Sequence, residues 1–162
     1  MKTLTNLISP FQTNTLRTDT YEVIENEVVT AQIYKDLNVS GSLFSKTLFK
    51  GVTFDSCAFY ATNFIECEFV GCNFKNCTFQ FSHFEKVDFD GCEFINNSWI
   101  VSSISKSILS TCFVDRKTSY YLMREDNAIF NCFASRTLTW DEVDNQTQTL
   151  TVEDRTILKK VS

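Results

Sequence analysis

Asn63 to Phe94 reads NFIECEFVGCNFKNCTFQFSHFEKVDFDGCEF. Phe64, Phe69, Phe74, Phe79, Phe84, Phe89 and Phe94 stand in it one every five residues. The series extends upstream through Phe44, Phe49, Phe54 and Phe59, and downstream through Trp99, Ile104 and Leu109. Fourteen consecutive large apolar residues thus share one phase. An α-helix repeats its faces every 3.6 residues and a strand every 2, so neither explains a period of five. A fixed internal period marks a chain built from repeated units. The Phe residues of the series and Trp99 are read as the structural core.

The position two before each centre is small or compact: Ser42, Thr47, Val52, Cys57, Thr62, Cys67, Cys72, Cys77, Ser82, Val87, Cys92, Asn97, Ser102 and Ser107. All seven cysteines share this phase, including Cys112 and Cys132 beyond the clear repeat. Their placement is therefore structural. Each fills a slot too narrow for Leu, as a small hydrophobe with a weak donor. Cys57 and Cys77 stack, as do Cys72, Cys92, Cys112 and Cys132, and free thiols are expected throughout.

Segments TNFIE (62–66), CEFVG (67–71), CNFKN (72–76), VDFDG (87–91) and CEFIN (92–96) resemble the pentapeptide-repeat family. That family's pattern is a small residue, Asp or Asn, Leu or Phe, then two polar or small residues. The resemblance implies an all-β fold, a right-handed quadrilateral parallel β-helix with four pentapeptides per coil. Here it would have four to five coils and Phe at the centre. A second interval supports twenty residues per coil. Gly51, Gly71 and Gly91 recur at that spacing, and LSTCFVDR (109–116) aligns with IFNCFASR (129–136).

Three regions follow. Residues 1–36 form an N-terminal segment and cap, with one or two strands in YEVIENEVVTAQIY (21–34). Residues 37–136 form the β-helix, regular to about 112 and distorted after. Residues 137–162 form a C-terminal cap or tail, where Thr139 with Glu142 and Thr151 with Asp154 suit capping boxes opening short helices. Lys117 and Arg124 would fall in inward slots, so the stretch around them is read as an outward loop or a distorted coil. In the core, each Phe packs on the residue twenty positions away, at the ordinary interstrand spacing of about 4.8 Å.

Composition narrows the function. The 162 residues carry a net charge of -5, which argues against direct binding to nucleic acid. No apolar run approaches the roughly 18 residues of a membrane helix. The N-terminus lacks the pattern of a secretory leader, and an odd cysteine count suits reduced thiols, so a cytoplasmic location is expected. His83, the only histidine, cannot build a triad or a His-based zinc site alone. The cysteines are spaced in multiples of five with no C-x-x-C pair, which excludes the usual zinc pattern. The carboxylates lie on a convex surface without a pocket to tune them. The reading is of a protein without catalytic residues, cofactor or metal.

Residues flanking each centre point outward. One face carries Tyr60, Gln80 and Ile100, with Ala61, Phe81 and Val101 beside them. Apolar residues stacked on one face usually meet something. The candidate partner or dimer face is therefore Tyr60, Ala61, Phe81, Ile100 and Val101. Its occupant would be a foreign protein, a second copy in a homodimer, or the chain's own tail. The leading reading is a non-catalytic protein-interaction module. The alternative, from the resemblance, is a DNA-mimicking protein that binds DNA gyrase, similar to quinolone-resistance members. The Phe-rich repeat also resembles the luminal domain of synaptic-vesicle glycoproteins, which would imply an extracellular role.

Overall fold

The computed structural model describes residues 22–135 and 155–157. Twenty-two short strands, β1–β22 in chain order, and one helix, α1, make up these residues. The first coil is β1 (Glu22–Glu25), β2 (Val28–Thr30), β3 (Ile33–Lys35) and β4 (Asn38–Ser40). Each strand pairs in parallel with the strand twenty residues on: Ile24 lies beside Phe44, Val29 beside Phe49, Tyr34 beside Phe54 and Val39 beside Phe59. The result is a parallel β-solenoid with four sheets and about six turns.

Corners between strands explain the period. The residue two after each centre has positive φ, as at Lys46 (49°), Glu66 (53°) and Lys86 (54°). Its amide donates to a carbonyl nineteen residues on, for example Lys46 N to Ile65 O at 3.0 Å and Lys86 N to Ser105 O at 3.1 Å. A three-residue strand and a two-residue corner add up to five. A left-handed corner is cheapest for glycine. Gly51, Gly71 and Gly91 fill one column of corners, with φ near 60°.

The centres face inward, as expected. Phe44, Phe49, Phe54, Phe59, Phe64, Phe69, Phe74, Phe79, Phe84, Phe89 and Phe94 are at most 5% exposed, and Trp99 is 6% exposed. Rings stack vertically: Phe49 on Phe69 at 4.6 Å, Phe64 on Phe84 at 4.5 Å and Phe69 on Phe89 at 5.2 Å, with planes within 12°. Above Phe89 the column continues with Leu109, its register partner in the next coil. Rings on adjacent faces meet edge to face, as Phe59 and Phe64 do at 5.8 Å and Phe89 and Phe94 at 5.3 Å. Both geometries suit the ring quadrupole and contribute about 0.5–1.5 kcal/mol per pair beyond area burial.

Three expectations change. The solenoid begins by residue 22 rather than 37, and its levels number about six rather than four to five. Its first coil is centred on Ile24, Val29, Tyr34 and Val39, all buried. The positions two before these centres are Glu22, Glu27, Gln32 and Leu37. Among the described residues, no earlier coil narrows those slots, so the small-residue signal is missing there.

The second change concerns 116–124. These residues form neither loop nor distorted coil but α1 (Arg116–Arg124), which takes the place of two strands in the winding. The twenty-residue register survives around it, since Leu109 pairs with Ile129 and Phe113 with Phe133.

The third change is at the C-terminal end. Arg155–Ile157 form a strand, β22, and not the helix suggested after Thr151. β22 runs antiparallel to β21 (Phe133–Ser135), with Phe133 beside Ile157. It covers one edge of the last turn, where an open strand would invite association. The helix suggested after Thr139 and the segment 1–21 lie outside the described residues.

Candidate functional site

The fourth face consists of β4, β8 (Ala58–Tyr60), β12 (Thr78–Gln80) and β16 (Ser98–Ile100). Its rows, with their corners, are Asn38–Gly41, Ala58–Ala61, Thr78–Phe81 and Ser98–Val101. None of these sixteen residues is charged. The other three faces carry outward charges, among them Glu85, Glu68, Asp88, Asp90, Asp55, Lys75 and Glu93.

The structure brings the candidate residues together on this face. Tyr60 is 48% exposed, Phe81 41%, Ile100 43% and Val101 67%, while Ala61 is half-buried. The Tyr60 and Phe81 rings meet edge to face at 5.6 Å. Ala61, Phe81 and Val101 are corner residues with φ of 48°, 51° and 49°. Most other corners hold Gly, Asn, Asp, Ser or Lys. A β-branched or bulky residue at positive φ is a steric outlier costing on the order of 1–3 kcal/mol. Two large apolar side chains therefore occupy costly backbone positions, in one column, facing solvent.

The face ends at α1, which the sequence reading missed. Asp115 caps the helix, its Oδ1 accepting from Thr118 N at 2.7 Å. Trp99 Nε1 donates to Thr118 Oγ1 at 2.9 Å, and Tyr121 Oη donates to the Trp99 carbonyl at 3.0 Å. Thr118, Tyr121 and Leu122, spaced i, i+3, i+4, turn one side of the helix onto the coil. That spacing, together with the failure of the five-residue phase at Lys117, was the available signal. Between helix and face lies an open hollow of about 410 Å³, lined by Ser98, Trp99, Arg116, Lys117, Tyr120 and Tyr121.

The thiols lie in the core. Cys57, Cys67, Cys72, Cys77, Cys92, Cys112 and Cys132 are all free and at most 1% exposed. The slot is a bonding position as well as a narrow one. Cys92 Sγ donates to the Phe69 carbonyl at 3.2 Å and Cys72 Sγ to the Phe49 carbonyl at 3.3 Å, each twenty-three residues earlier. Cys112 Sγ does the same to the Phe89 carbonyl at 3.5 Å. Ser82, Ser102 and Asn97 make this bond to Phe59, Phe79 and Phe74. Burial pushes the Cys67 thiol up to about 11, against the lowering effect of nearby backbone hydrogen bonds. Cys92 is pushed up further, first by hydrogen bonding with the Cys112 and Cys72 thiols and then by burial. Cys67 and Cys92 are therefore poor nucleophiles, since the thiolate is the reactive form, whereas Cys57, Cys72 and Cys112 are shifted down, first by hydrogen bonding with a neighbouring thiol.

Among the described residues, no group of three or more His, Cys, Asp or Glu side chains is placed to hold a metal. His83 is exposed, with Nδ1 2.9 Å from Ser103 Oγ. The acidic side chains on neighbouring faces are partly engaged. Lys106 lies 3.0 Å from Glu85 and, by hydrogen bond and charge, holds its carboxyl below the usual range. Asp90 accepts from Thr111 at 3.2 Å.

No curated protein sequence matches the chain. Among solved structures, it is similar to a pentapeptide repeat protein from the Arabidopsis thaliana thylakoid lumen, at 14% identity over 64% of this chain and 75% of that one, TM-score 0.31. It is also similar to QnrB1, a plasmid-mediated fluoroquinolone resistance protein, at 13% identity over 70% of this chain and 69% of that one, TM-score 0.24. Residues 54–96 match the family model for pentapeptide repeats (9 copies). Residues 54–96 thus carry pentapeptide repeats, and the structure continues their phase through four parallel sheets.

Proposed function

We propose that this protein is a non-catalytic interaction module whose fourth face docks a protein partner. One observation carries the reading: Phe81 and Val101 hold strained left-handed corners on a face without charge. Strain kept at an exposed position points to use, because folding alone would favour Gly or Asn there. In the same reading the protein works in a reducing compartment, where its buried thiols stay free.

Size bears on the partner. Four strands at about 4.8 Å give a face roughly 20 Å tall and 10–15 Å wide, a few hundred Å². A standard interface buries about 800 Å² per partner. A second copy meeting this face alone falls short, so the face suits a smaller or extended element. The gyrase-binding alternative has weaker support, because residues 44–110 carry five Lys against seven Asp or Glu, a balance of only -2. A gyrase supercoiling assay is expected to show no inhibition.

The test compares affinity capture from extracts of the native organism. Phe81→Asp should lose the partner while far-ultraviolet circular dichroism stays unchanged. Val101→Asn should also weaken capture yet raise stability, by up to about 1 kcal/mol, because Asn tolerates the left-handed corner. Unchanged capture by Phe81→Asp would remove this face from consideration.

A further inference from the structure

The hollow of about 410 Å³ at the top of the fourth face has a chemistry of its own. Arg116 and Lys117 line it, with the rings of Trp99, Tyr120 and Tyr121. Among the described residues, no carboxylate lines it. Asp115, next in sequence, has both oxygens engaged elsewhere, by Thr118 N and by Asn97 N. Tyr120 is 60% exposed, so apolar ring surface is open to a ligand beside the cations. The Arg124 guanidinium lies 5.4 Å from the centroid of that ring and adds positive charge. In a chain of net charge -5, α1 thus carries three cations and no carboxylate.

The two lining cations stand against local preference. The first turn of a helix is the positive end of its dipole, where Asp or Glu stabilises and Lys or Arg does not. Arg116 and Lys117 occupy that turn, and both are exposed. Folding alone would favour the opposite charge there. Phe81 and Val101, at left-handed corners, are held against local preference in the same sense. The two features adjoin, because Ser98 and Trp99 of the hollow belong to β16, whose strand and corner continue as Ile100 and Val101.

Spacing sets the length of a ligand that meets both. Tyr60 lies two strand spacings below Ile100, and the helix lies about one further, roughly 14 Å in all. An extended chain covers that in about four residues, and its alternate side chains face the same way. Charge sets the class. Nucleic acid carries charge along its whole length, and the faces flanking the fourth bear Glu85 and Glu93. A ligand apolar along most of its length and anionic at one end fits better.

We propose that the partner docks through an extended, acidic-ended peptide segment. Its apolar side chains, at alternate positions, lie on Tyr60, Phe81, Ile100 and Val101, and the Asp or Glu side chains that follow enter the hollow toward Arg116 and Lys117. This inference rests on the fourth face being a docking surface, and it adds the chemistry of what docks.

Fluorescence anisotropy on the full-length chain tests it, with a fluorescein-labelled peptide Leu-Ser-Leu-Ser-Glu-Asp-Glu as the probe. The peptide should bind saturably, and more weakly as salt is added. Affinity should fall several-fold when the acidic end is replaced by Gln-Asn-Gln, and likewise in Lys117→Glu. A peptide ending in Lys-Lys-Lys should recover binding to Lys117→Glu. The urea midpoint of that variant should not fall, since Glu suits the start of a helix. Absent binding, equal binding of the neutral-ended peptide, or binding unchanged in Lys117→Glu overturns the proposal. So does displacement of the peptide by a single-stranded oligonucleotide, or self-association of the chain in place of peptide binding. The two readings fail separately. Capture lost in Phe81→Asp but unchanged in Lys117→Glu leaves the docking face standing with the partner's chemistry wrong. Peptide binding lost in Lys117→Glu but unchanged in Phe81→Asp removes the apolar face instead.

Discussion

The slot two before each centre shows how one position answers two demands. It must be narrow, because it lies between coils, and a polar residue in it can donate to the carbonyl twenty-three residues earlier, while Val52 and Val87 fill it without a donor. Thiol, hydroxyl and amide all comply, as Cys72, Ser82 and Asn97 show. Cys92→Ser should therefore be tolerated within about 1 kcal/mol, since Ser82 and Ser102 make the same bond. Cys92→Leu should cost about 1–3 kcal/mol by overpacking a fully buried site. Urea denaturation of the two variants checks both values. The same logic shows why the cysteines were legible in the sequence as structural, whereas their carbonyl partners were not. A spacing of twenty-three becomes visible only once the coil length is known.

Among the elements, α1 is the one departure from the strand-and-corner rule. Its place depends on a few polar bonds. Asp115 serves two amides, capping Thr118 N through one oxygen and accepting from Asn97 N at 2.8 Å through the other. Asn127 closes the far end, donating to the carbonyls of Ile104 at 2.8 Å and Leu122 at 3.0 Å. Asp115→Ala should cost about 0.5–2 kcal/mol for the lost cap, with more for the Asn97 amide left unpaired. Because Trp99 packs under the helix, a shift of its fluorescence should accompany the loss, and an unchanged spectrum with unchanged urea midpoint would count against this account. The sequence showed only that Lys117 and Arg124 could not point inward. A helix there needed Trp99, Ile104 and Ser107 as a platform, and those are neighbours only after the coil has wound.

For the molecule as a whole, stability is the sum of stacked levels, each contacting only its neighbours. The buried Cys67 thiol ties that stability to pH. An unfolded thiol loses its proton near pH 8.5, whereas folded Cys67 keeps it to about 11. Between those values the unfolded chain binds fewer protons than the folded one, so stability falls as pH rises. The loss is up to about 1.4 kcal/mol per pH unit for each such thiol. Urea midpoints at pH 8 and pH 10 should differ accordingly, and Cys67→Ser should shrink the difference. The sequence by itself determined the repeat, the inward ring at each centre and the slot before it, because a period of five is incompatible with any other regular backbone. It also picked out the apolar column, since outward positions follow from the same phase. Only the tertiary structure decided where the solenoid begins, because Ile24, Val29, Tyr34 and Val39 join the core through pairing with the coil above rather than through any Phe or small-residue signal. It likewise decided that a helix closes the fourth face and that β22 covers an edge of the last turn. Both depend on contacts between residues that twenty-residue winding brings together and no local pattern announces.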